Sequence, residues 1–102
     1  MTDTGLTKAD IQKINSVFAA HTNIKKIILY GSRAMGTCKL YSDIDLTLVG
    51  KQISLTQLNE IENQLDELYL PYKMDLTIFD QIENLDFLDH IKRVGKEFYH
   101  SD

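Results

Sequence analysis

Two aspartates spaced by two, Asp43 and Asp45, follow the pair Gly31-Ser32 with ten residues between. On a strand, residues i and i+2 point to the same side, so these carboxylates project together. That is a way to present two hard oxygen ligands to Mg²⁺. Like charges side by side cost stability unless a cation or donor lies near them, so the pairing asks for a reason. A third carboxylate, Asp75, sits in the strand-like run Tyr-Lys-Met-Asp-Leu-Thr-Ile-Phe. If the two strands are neighbours, Asp75 completes a trio. One bridging and two flanking carboxylates suit two metal ions roughly 3.5–4 Å apart, one orienting a triphosphate and one lowering the pKa of an attacking hydroxyl. Asp75 is then a ligand, a general base, or both.

Gly31 supplies the complementary half. It follows the apolar Ile27-Ile28-Leu29-Tyr30 and precedes a brief helical turn, so the backbone can bend sharply and approach a ligand. Unpaired N–H groups at the start of such a turn suit a phosphate, to which Ser32 can add a hydroxyl and Arg33 a guanidinium. Taken alone, Gly-Ser describes an ordinary strand-to-helix turn, and Asp-x-Asp an ordinary solvent-facing strand. Together, a phosphate turn and three carboxylates point to nucleotidyl transfer. Other chemistries lack their signatures. No Gly-Lys-Ser/Thr follows for a Walker loop, and no Gly-x-Ser-x-Gly elbow is present. His21, His90 and His100 show no metal-ligand spacing, and His90 reads as a surface or boundary residue.

The elements that must hold these groups are legible from periodicity. Residues 7–21 carry Ile11, Ile14, Val17 and Phe18 at helical spacing, with Thr7 and Asp10 as a start signal. Residues 26–30 and 43–49 read as strands, and 39–42 as a polar loop. Residues 55–70 form an amphipathic helix stopped by Pro71. Residues 72–79 alternate as a third strand, and 85–99 read as a final helix weakened by Gly95. The expected architecture is α/β, a single domain over 1–102 with a small sheet packed by helices.

Composition narrows the setting. A 43% hydrophobic, 25% charged chain is of ordinary globular type. A net charge of −4 gives no general attraction to nucleic acid or anionic membrane. The single cysteine, Cys38, excludes an intrachain disulfide. The N-terminus lacks a signal-peptide pattern and no apolar run approaches a membrane span, so the expected location is cytoplasmic.

The segments Gly31-Ser32-Arg33-Ala-Met-Gly36, Tyr41-Ser42-Asp43-Ile-Asp45-Leu and Met74-Asp75-Leu76 resemble the minimal nucleotidyltransferases of the polymerase β superfamily. The resemblance covers most of the chain. It implies a polymerase β-like core with a mixed sheet, nucleotide phosphate at Gly31, Ser32 and Arg33, and Mg²⁺, expected as two ions, at Asp43, Asp45 and Asp75. ATP or another nucleoside triphosphate is the implied substrate. Small members are similar to antitoxins of HEPN/MNT toxin–antitoxin systems. The implied partner is then a helical HEPN ribonuclease toxin, and the implied reaction is AMP transfer to a toxin tyrosine. Larger relatives carry added domains that hold the acceptor, and this chain has almost nothing beyond the minimal core, so an acceptor site is expected to be shallow, shared with another subunit, or supplied by a protein partner. Two alternatives stay open: a non-catalytic module that masks its partner sterically, and a transferase for a small molecule or RNA working with a separate substrate-binding subunit.

Overall fold

Thr7 and Ser54 set the starts of two long helices. In the computed structural model, which describes residues 4–101, the Thr7 hydroxyl accepts from the Asp10 N–H at 3.0 Å and opens α1 (Lys8–Ala19). The Ser54 hydroxyl accepts from the Gln57 N–H at 3.1 Å and opens α3 (Leu55–Asp66). Such caps satisfy backbone donors that have no partner inside the helix. Between them lie β1 (Ile24–Tyr30), the short α2 (Gly31–Met35) and β2 (Ile44–Gly50). After α3 come β3 (Met74–Ile78), a 3₁₀ turn at Phe79–Gln81, α4 (Leu85–Val94) and β4 (Lys96–His100). Among the described residues no helix is long and apolar enough to cross a membrane.

The strands form one mixed sheet in the order β3-β2-β1-β4. β1 runs antiparallel to β2 and β4, and β2 runs parallel to β3. Across the sheet Leu29 faces Leu46, Ile27 faces Leu48, and Leu46 faces Leu76. These side chains join Ile14, Phe18, Leu58, Ile61 and Leu65 of α1 and α3 in the main core. The alternate residues take the opposite face: Ile28 and Tyr30, Asp45 and Thr47, Asp75 and Thr77. There α4 covers the β1 side, with Phe87 and His90 against the Tyr30 ring and Gly95 against Ile28.

α1 is shorter than the sequence reading at both ends, β1 begins earlier, at Ile24, and β3 is shorter, at Met74–Ile78; three further boundaries differ as well. The final helix does not run through 85–99; it stops at Val94, and residues 96–100 form an edge strand on β1. Gly95 adopts an extended conformation, and a Cβ there would run into the Ile91 carbonyl and Ile28. The chain leaves the helix at that point, and Phe98 and Tyr99 pack against the main core. Helix α3 ends at Asp66 rather than Leu70. Leu68 and Tyr69 close the turn by bonding to the carbonyls of Leu65 and Asp66, and Tyr69 takes a positive φ of 54°. Proline disfavours helical geometry in the residue before it, so the helix must end upstream of Pro71. Lastly, β2 begins at Ile44, so Asp43 stands in the loop just ahead of the ladder.

Candidate active site

The parallel pairing of β2 and β3 sets Asp45 directly beside Asp75 in register. Asp43 precedes the strand and is exposed, as is Asp75, while Asp45 is half-buried. The Gly-Ser turn meets this group. Gly31 has φ +75°, and the Asp45 carboxylate fills the space that a Cβ on Gly31 would occupy. Only glycine accepts both that backbone conformation and that close approach at little cost. Ser32 is half-buried, and its carbonyl closes α2 by accepting from the N–H groups of Gly36 and Thr37.

The electrostatics are those of anions held close together. Burial pushes the Asp45 carboxyl above its usual value, and the charges of Asp75 and then Asp43 push it further. His90 and Arg33 act in the opposite direction. Tyr30, register partner of Asp45 across β1, is also shifted upward, chiefly by burial; the Thr77 hydroxyl opposes this more strongly than either acid adds to it, and Asp45 and then Asp75 contribute the remaining rise. A divalent cation at this face would favour the ionised carboxylates.

Do the residues fit such an ion? Among the described residues no three acid, histidine or thiol side chains already converge into a metal cage. Mg²⁺ does not need one, since it keeps several waters and binds through one or two carboxylates plus substrate phosphates. Adjacent Asp45 and Asp75, with Asp43 near enough to raise the Asp45 pKa, match that pattern. The acids lie on an open surface. A cavity of about 320 Å³, lined by Lys26, Ile28, Phe79, Ile91, Lys92, Gly95 and Glu97, includes none of them.

Arg33 departs from its expected place. Its side chain is only 1% exposed, and its N–H groups are engaged with the carbonyls of Thr4, Leu40 and Ser42. A guanidinium so enclosed is turned away from an incoming phosphate, because its donors are already used within the fold. Conversely, Tyr30, Thr77 and His90 border the acids, and sequence reasoning gave none of them a role. His90 follows Phe87 by three on α4, so both fall on one helix face, over Tyr30. That spacing was the available signal.

Comparison with known proteins adds three findings. A family described as Polymerase beta, Nucleotidyltransferase matches residues 12–102. No curated protein matches significantly. Several solved structures share the fold. A toxin–antitoxin complex with AMP-PNP is 19% identical with a TM-score of 0.73, over 90% of this chain and 74% of that one. A complex of a tri-AMPylated Shewanella oneidensis HEPN toxin with MNT antitoxin is 15% identical with a TM-score of 0.70, over 94% of this chain and 74% of that one. The toxin–antitoxin MntA-HepT is 15% identical with a TM-score of 0.69, over 93% and 74%. At these identities the likeness is one of fold, whereas the family match spans most of the sequence and includes every acid discussed above. The chain belongs to the polymerase β nucleotidyltransferase family.

Proposed function

We propose that this protein is an Mg²⁺-dependent antitoxin of the MNT type that transfers AMP from ATP to a tyrosine of a helical HEPN toxin. The observation that carries the reading is the alignment of Asp45 with Asp75 beside Gly31. It sets a carboxylate pair next to a glycine turn where backbone can approach a phosphate. The fold neighbours support the choice of nucleotide and partner, since one was crystallised with AMP-PNP and another contains an AMPylated HEPN toxin.

In this reading Asp43, Asp45 and Asp75 hold the metal, and Gly31 and Ser32 receive the triphosphate. Mg²⁺ held there would neutralise charge at the phosphates and make the acceptor hydroxyl more acidic. The acceptor tyrosine oxygen bonds to the α-phosphorus, and the bond from that phosphorus to the pyrophosphate oxygen breaks. Asp75 takes the tyrosine proton in this reading, and its exposure leaves it open to an incoming acceptor. The open setting of the acids suits a large acceptor that brings its own hydroxyl to the surface.

The test is intact-mass spectrometry of a HEPN partner after incubation with the protein, ATP and Mg²⁺. A gain of one or more AMP units, absent with Asp43→Asn/Asp45→Asn, is the expected outcome. A stable complex that neutralises the toxin with no added mass would replace transfer by steric masking.

A further inference from the structure

Arg33 is buried, yet among the described residues it forms no salt bridge. A guanidinium held this way needs carbonyl acceptors in place of water. It finds them in the segments that lead to the acids. Nε and Nη2 both donate to the Ser42 carbonyl, at 3.2 and 2.8 Å, in a fork on one oxygen. Nη2 also reaches the Leu40 carbonyl at 3.4 Å. Nη1 donates to the Thr4 carbonyl at 2.9 Å, tying in the segment before α1. The guanidinium carbon lies 4.8 Å from the centre of the Tyr72 ring, a cation–π contact.

The two acid-bearing segments are thus held by one side chain. Ser42 immediately precedes Asp43. The loop it ends is closed on itself, with Ser42 N–H donating to the Lys39 carbonyl and Lys39 N–H donating to Ser42 Oγ at 2.7 Å. On the far side of Asp43, Ile44 N–H donates to the Lys73 carbonyl at 2.8 Å. Tyr72 stands three residues before Asp75 and is the aromatic face on which the guanidinium rests. Moving Arg33 would therefore move the Asp43 loop relative to the entry of β3, while Asp45 stays fixed in the middle of the sheet.

We infer that Arg33 is a positioning residue, which sets Asp43 against Asp45 and Asp75 by clamping the Ser42 carbonyl to the Tyr72 ring. The inference rests on the metal-dependent nucleotide reading above. It concerns a residue that touches neither nucleotide nor metal. Lysine cannot reproduce it, because an ammonium lacks the planar fork and the stacking face.

The experiment compares the parent with Arg33→Lys, Arg33→Met, Tyr72→Phe and Tyr72→Leu, each checked for folding by circular dichroism. Two equilibria are read: Mn²⁺ binding by water-proton relaxation, and AMP-PNP binding by calorimetry with and without Mg²⁺. Loss of a group that orients metal ligands weakens metal affinity by about ten- to a hundredfold. Arg33→Met is expected to show that loss, with Arg33→Lys failing to restore it. Tyr72→Leu should lose affinity as well, and Tyr72→Phe, which keeps the ring, should match the parent. Metal-free AMP-PNP binding should be unchanged throughout.

Parent-like Mn²⁺ affinity in folded Arg33→Met, or full rescue by Arg33→Lys, would overturn the inference. So would a drop in metal-free nucleotide binding, which would make Arg33 a direct phosphate ligand. If Arg33→Met does not fold, Arg33→Lys and Tyr72→Leu decide it by the same readings. A parent that binds no nucleotide in a metal-dependent way would remove the proposed function, and this inference with it, a result distinct from any difference among variants.

Discussion

Asp45 shows what a poised site costs the fold around it. Its carboxyl pKa is raised above its ordinary value by burial and by its acidic neighbours, so the folded state binds its proton more tightly than the unfolded chain does. Stability contributed by the neutral form is therefore lost as pH rises from about 4 through the folded pKa. Asp45→Asn should raise the melting temperature of the metal-free protein at pH 7 and give no gain below about pH 4, where the parent carboxyl is protonated in both states. Thermal unfolding across pH would check this, and a fall in melting temperature at pH 7 would contradict it. The same variant should gain less than the parent from Mg²⁺ and a nucleotide analogue, because a ligand stabilises only the state that binds it. Gly31→Ala tests the facing residue. A non-glycine side chain in the left-handed region costs about 1–2 kcal/mol, and its Cβ would displace the Asp45 carboxylate. Urea unfolding should show that loss of stability, and calorimetry should show weakened nucleotide binding.

The same reasoning extends to elements. The chain leaves α4 at Gly95, where a Cβ would strike the Ile91 carbonyl and Ile28, and runs on into β4. Overpacking of this kind typically costs about 1–3 kcal/mol, so Gly95→Val should lower the urea midpoint. It should also loosen β4, read as faster amide exchange at the positions paired with β1. An unchanged midpoint would show that the helix-to-strand junction has slack. α1 and α3 were plain from the sequence because amphipathic spacing is a local signal, seen in Ile14 and Phe18 behind the start signal at Thr7 and in Leu58, Ile61 and Leu65. The stretch 96–100 was not plain. Five residues with Phe98 and Tyr99 adjacent satisfy neither a strand nor a helix period, and only the free edge of β1 turns them into a strand.

For the molecule as a whole, partner recognition and chemistry are expected to separate. The acids lie on an open face, and Met35, Leu40 and Tyr41, from α2 and the loop leading to Asp43, are large apolar side chains left exposed. Asp43→Asn/Asp45→Asn should therefore retain association with a HEPN partner in a pull-down while adding no mass to it; loss of association would tie recognition to the acids themselves. The sequence by itself determined the chemical inventory: the glycine turn, the three acids, the two long helices and the family to which they belong. These are local patterns, read from residue type and spacing. Tertiary structure decided the rest. The parallel pairing that aligns Asp45 with Asp75 joins residues separated by all of α3. The placement of His90 over Tyr30 depends on where α4 lands. The inward turn of Arg33 depends on carbonyls gathered from Thr4, Leu40 and Ser42. A charged side chain near a phosphate-binding turn reads from sequence as a ligand, because nothing local reveals which backbone oxygens the fold will bring within its reach.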